Sequence, residues 1–124
     1  MTVIRSDDLV FVSLPGRQSA DGLAGIASAS SVRSVRLEHT PGRTAHRHPH
    51  SEEVVYVVSG AGTVWIDGET TTVTAGDIVH IPPGCAHATV PVPGSVMELT
   101  CYFPHPDLGV NVEETDIDVT MEDQ

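Results

Sequence analysis

Between positions 46 and 53 the chain reads His46-Arg47-His48-Pro49-His50-Ser51-Glu52-Glu53. Three histidines and two carboxylates in so short a stretch supply nitrogen and oxygen donors suited to a borderline divalent metal. In an extended chain successive side chains alternate, so His46, His48 and His50 emerge on one side. Two histidines so placed can chelate one ion, and Glu53 is a further donor from the next part of the turn or strand. A fourth donor must come from elsewhere. The candidate is His87, which opens a β-prone run directly after the rigid turn Pro82-Pro83-Gly84-Cys85-Ala86. A shifted set, His48 and His50 with Glu52 or Glu53, stays open at this level.

Donors so far apart in the chain must be brought together by a scaffold, and the pattern is β almost throughout. Val35, Leu37 and His39 alternate with Arg36 and Glu38, which marks a half-buried strand. Val54 to Val58 is strongly β-branched. Asp67-Gly68 between two β-prone runs predicts a hairpin. Further strands are expected at Ile78 to Ile81, His87 to Val92 and Val96 to Phe103, with Gly/Pro turns between them. No stretch of ten or more residues shows capped helical periodicity. Short strands at this spacing indicate an all-β sandwich or barrel. Residues 1–30 read as an N-terminal arm and loop, with short strands near Leu9 to Val12 and Leu23 to Ala27. Residues 31–106 form the barrel, and 107–124 an acidic C-terminal tail.

The chain of 124 residues is long enough for one domain with its own core. Six arginines and no lysine face 17 acids, for a net charge of -11. That balance argues against nucleic acid and against anionic membranes as partners. Without lysine there is no Schiff-base chemistry. Glu113, Glu114, Asp116, Asp118, Glu122 and Asp123 crowd the C-terminus, which predicts a solvated, mobile tail. Cys85 and Cys101 are too few for a disulfide framework. No apolar run has transmembrane length, and no signal peptide is evident, so a cytoplasmic location is expected.

The motifs resemble those of the cupin superfamily, in particular small single-domain bacterial cupins. The first cupin motif is matched by His46-x-His48, four residues, Glu53, six residues and Gly60. The second is matched by Gly76, five residues, Pro82-x-Gly84, two residues and His87. The 15 residues between Gly60 and Gly76 match the short spacer of small cupins. Two positions depart from the pattern: Gly42 lies closer to His46 than usual, and Pro91 stands where Asn is common.

The resemblance implies a small β-barrel of two antiparallel sheets. It also implies one divalent transition metal per chain on His46, His48, Glu53 and His87, with coordination positions left open for catalysis. Iron is the first choice, with zinc, manganese, nickel or copper as alternatives. The implied function is that of a dioxygenase acting on a small organic molecule. A Lewis-acid isomerase, cyclase or lyase is the alternative, and a non-catalytic binding module the rival from another class. Glu53 and His50 are the candidate proton-transfer residues, His50 and Glu52 lying on the rim. Cys101 is expected to pack with Met97, Leu99 and Phe103, and Tyr56 to face away from Glu53. Val55, Val57, Thr89, Leu99 and Cys101 are expected to line the pocket, and Arg43 and Arg47 to steer an anionic substrate. An open sheet edge suggests a homodimer in which residues 1–14 give a strand to the partner.

Overall fold

The computed structural model describes residues 1–106 and 109–120. Two antiparallel sheets face each other. The first has the order β1 (Val12–Leu14), β2 (Arg17–Asp21), β3 (Ser31–Glu38), β10 (Val96–Phe103), β5 (Glu53–Ser59) and β8 (Ile78–Ile81). The second runs β11 (Glu113–Asp118), β4 (Thr44–Arg47), β9 (His87–Pro91), β6 (Ala61–Ile66) and β7 (Glu69–Thr74). Helical structure among the described residues is confined to a 3-10 turn at Ser6–Asp8.

Alternation decides which side chains meet between the sheets. In β5, Glu53, Val55 and Val57 are buried, whereas Tyr56 and Val58 are exposed. In β10, Met97, Leu99, Cys101 and Phe103 are buried, between the exposed Val96, Glu98 and Tyr102 and the half-buried Thr100. With Val35, Leu37, Val64, Val73 and Ile81 they form the main core. All of β9 is buried, since it is a central strand covered on both faces. Its outward residues Ala88 and Val90 join Ala45, Trp65, Ala86 and Val119 in a second apolar cluster. Asp67 and Gly68 have φ of 46° and 92°, and positive φ at both central residues gives the β6–β7 hairpin a twist that suits its strands.

Two expectations need correction. The N-terminal strands are Val12–Leu14 and Arg17–Asp21, joined by the Pro15-Gly16 turn, not Leu9 to Val12 and Leu23 to Ala27. Their alternation was hidden because β2 buries Arg17, Ser19 and Ala20, which do not look like a core face. The C-terminal segment is not a free tail over its described length. Glu113–Asp118 pairs with β4, and Val119 is 1% exposed. Its acids line an edge strand that faces water, so composition alone mimicked disorder. Glu122 and Asp123 lie outside the described residues.

Candidate metal centre

Three strands and one turn bring the donors together. His46 on β4 sits directly opposite His87 on β9 in the antiparallel register. His48 follows just beyond the end of β4, and its carbonyl oxygen accepts from Gly84 N at 3.0 Å. That bond ties the first histidine turn to the Pro-x-Gly turn that precedes His87. Glu53 opens β5 across from Ile81. The metal-ligating atoms of His46, His48 and His87 lie within 4.8 Å of one another, and all three residues are buried. Phe103 stands edge-on to the His48 ring at 4.6 Å and closes one wall.

Hydrogen bonds set the proton positions. His48 Nδ1 lies 2.7 Å from the Asn111 carbonyl oxygen and His87 Nδ1 lies 2.9 Å from that of Cys85. A carbonyl only accepts, so both Nδ1 atoms carry the proton, and in the neutral ring each Nε2 presents a lone pair. Glu53 Oε1 lies 3.2 Å from His48 Nε2 and 2.9 Å from His87 Nε2. None of these three atoms is aligned for a well-formed hydrogen bond, so all are buried without a partner, as is His46 Nδ1. Lone pairs converging in a dry site repel one another unless a cation or protons sit among them. The donor set of three imidazoles and one carboxylate fits a divalent transition metal.

The electrostatics agree. Burial, then the neighbouring His87 and Arg17, hold the His46 imidazole well below its ordinary 6.5, so it is a neutral donor at pH 7. Burial alone would raise the Glu53 carboxyl, but in the metal-free site protons taken up by the facing nitrogens of His48 and His87 outweigh that and hold it well below the usual carboxylate range. Burial, then Glu53, pushes the Cys101 thiol well above 9.0, so it stays protonated.

The donors open into a narrow chamber of about 40 Å³ between the sheets. Val55, Thr89, Leu99 and Cys101 line it as expected, whereas Val57 packs in the core away from it. The expected pair Arg43 and Arg47 divides. Arg43 lines the chamber, but Arg47 reaches out to Glu113 at 3.4 Å. His50 and Glu52 are both exposed. The His50 ring stacks on His105 at 5.7 Å, and Glu52 pairs with His80 at 3.1 Å. His50 is outside the histidine cluster, so the geometry groups His46 and His48 with His87.

Sequence reasoning missed Asn111, which is fully buried and grips the histidine turn through its carbonyl oxygen and its side chain. An asparagine after a Pro/Gly-rich stretch carries no signal of burial. It also missed Arg17 and Arg33 in the chamber wall. A basic residue on a strand with buried parity was the available hint.

Comparison with known proteins gives the same fold. Streptomyces Pac13, described as a unique nucleoside dehydratase, superposes with a TM-score of 0.78 at 18% identity, covering 98% of this chain and 97% of that one. KdgF from a Halomonas species gives 0.70 at 21% identity, over 86% and 96%. The oxalate decarboxylase of Lactobacillus farciminis gives 0.72 at 22% identity, over 94% of this chain and 35% of that one. In sequence, an uncharacterized protein of Methanocaldococcus jannaschii is 32% identical over 48% of this chain and 50% of its own length. One of Streptomyces coelicolor is 34% identical over 51% and 61%. The chain thus spans only about half to three-fifths of these relatives. The Cupin_2 family model, described as a cupin domain, matches residues 35–101, more than half of the chain and the whole stretch from β3 into β10; the chain belongs to this cupin family.

Proposed function

We propose that the protein is a mononuclear metal-dependent enzyme acting on a small organic molecule, with His46, His48, His87 and Glu53 as the metal ligands. The observation that carries this reading is the convergence of buried, unpartnered donor atoms from these four residues at one end of a chamber open to solvent. A divalent ion held there supplies Lewis acidity and, if it is iron, access to dioxygen chemistry. Iron with dioxygen is the first reading, because imidazoles with one carboxylate and open positions suit non-haem iron.

The chain's own residues do the rest. The carbonyls of Asn111 and Cys85 hold the ring protons of His48 and His87 away from the site. Val55, Leu99 and Phe103 keep the chamber walls dry, which strengthens every charge interaction within them. The Lewis-acid reading has its own support. The cationic side chains in the wall, Arg17, Arg33 and Arg43, can stabilise negative charge that develops on a substrate as a proton leaves. An isomerase, cyclase or lyase would use them so.

The test is metal content and oxygen uptake in protein purified without a histidine tag. Wild type is expected to carry one equivalent of metal, and the H46A/H48A double variant to carry none. Equal stoichiometry in both ends the metal reading. Iron with oxygen uptake on catechols, thiols or diketones supports the dioxygenase, and zinc without uptake the Lewis-acid enzyme. The reading includes a homodimer, since Val12 on the edge strand β1 and Val10 just before it are exposed. Light scattering at the monomer mass removes that part.

A further inference from the structure

Three of the chain's six arginines, Arg17, Arg33 and Arg43, line the same chamber as the histidine cluster. A chain of net charge -11 has ample surface on which to solvate them, yet Arg17 and Arg43 are 8% and 5% exposed. The N-terminal hairpin holds these two. The Pro15 carbonyl oxygen accepts from Arg17 Nη1 at 3.0 Å and from Arg43 Nη1 at 3.2 Å. Gly16, with φ of 71°, makes the room, since a Cβ there would meet Arg43 Cδ at 2.5 Å.

Counter-charge is short. Glu114 bonds Arg17 Nη2 at 3.1 Å but is itself well exposed. Asp21 faces Arg33 across β2 and β3 and lies at the surface. Glu53 belongs to the metal ligands. The Nε atoms of Arg33 and Arg43 are buried with no acceptor. Burial, then the charge of Arg17, brings Arg43 down to about 10. Buried cations without a full set of acceptors are costly and are retained where an anion completes them. Guanidinium forks match the planar oxygens of a carboxylate. Val35, Leu37 and Leu99 line the same chamber and suit a short carbon skeleton.

We propose that the chamber binds a small organic acid, its carboxylate against Arg17, Arg33 and Arg43 and its other end toward the histidine cluster. This names the substrate class and rests on the proposed metal site for the chemistry, though not for binding the acid.

The test is calorimetric titration of metal-loaded protein with acetate, pyruvate, oxalate and benzoate, beside acetamide, methyl pyruvate and inorganic phosphate. At least one carboxylate is expected to bind, its neutral analogue about tenfold or more weaker. R33Q and R43Q are expected to lose about tenfold or more with metal content unchanged, and R43K to recover part of the loss. Circular dichroism and metal content establish that each variant is folded. Chelator-treated wild type keeps measurable affinity for the acid, because the arginines are not ligands. Failure of the metal reading would therefore leave acid binding intact and visible. Three results overturn the proposal: no acid binding at about 10 mM, tighter binding of phosphate than of any carboxylate, or equal affinity in folded arginine variants, which would assign the acid to the metal alone.

Discussion

His48 Nδ1 donates to the main-chain oxygen of Asn111 at 2.7 Å, 63 residues further along the chain. The same asparagine accepts from His50 N through Oδ1 at 2.8 Å and donates to Ser51 Oγ through Nδ2 at 2.8 Å. One buried residue thus clamps the turn that carries His48 at one end and leads to Glu53 at the other. It fixes the tautomer of one proposed ligand and the spacing to the next.

Replacing Asn111 with Ala leaves Ser51 Oγ and His50 N without partners while sparing the carbonyl bond to His48. Lost partners for buried polar groups cost about 1–3 kcal/mol. Loss of support behind metal ligands typically weakens binding by about 10–100-fold. N111A is therefore expected to bind metal more weakly in chelator competition and to unfold at lower urea. An unchanged metal affinity would show that the turn holds its shape without the clamp.

Acid is expected to unfold the metal-free protein in two overlapping windows. The folded pKa of His46 lies well below 6.5, so unfolding takes up a proton there and stability falls as pH drops below 6.5. The folded pKa of Glu53 lies below its ordinary 4.5, so its contribution is present above 4.5 and is lost as pH falls further. Urea midpoints at pH 7, 6 and 5 check the first window, and H46Q should flatten it. A wild-type midpoint that does not move between pH 7 and 5 contradicts this account. Saturating metal should raise the midpoint at pH 7 by mass action.

Gly62 and Gly68 should respond differently to the same substitution. A Cβ on Gly62 would lie 2.3 Å from Val90 O and 2.6 Å from Met97 Sδ, between β9 and β10. Backbone cannot yield there, and G62A is expected to cost about 3 kcal/mol or to prevent folding. Gly68 has open space around it, so G68A pays only for positive φ, about 1–2 kcal/mol. Thermal melts of the two variants give the comparison, and an equal cost would mean that β6 lies less closely against its neighbours.

Val119 donates its N–H to Arg43 O at 2.9 Å and packs with Ala45, Trp65 and Val90. V119A should therefore cost about 1–3 kcal/mol. Truncation before Glu113 should cost more, because it also strips β11 from β4. The urea midpoint of each variant measures the effect. A truncated protein as stable as wild type would restore the picture of an accessory tail.

The barrel strands were legible because alternation is local: the parity that buries Glu53, Val55 and Val57 and exposes Tyr56 is written in neighbouring residues. The Asp67-Gly68 hairpin was equally local, since its backbone demands belong to those two residues. The spacing of His46, His48, Glu53 and His87 placed four donors in the right order along the chain. What escaped was every feature whose meaning depends on a distant partner. Acidic β11 is a strand only because β4 offers it an open edge, and β2 buries an arginine because Pro15 turns back over it. Asn111 reads as one more loop residue until the fold seats it under His48. His50 has the same parity as His46 and His48, yet it sits in the turn that starts at Pro49, which leaves its ring exposed and stacked on His105. The sequence by itself determined the strands from β3 to β10, the hairpin and the candidate donors, because alternation, turn chemistry and residue type are properties of single residues and near neighbours. Only the tertiary structure decided which donors converge, what holds their protons and which cations share their chamber, because distances across a barrel depend on how its sheets close.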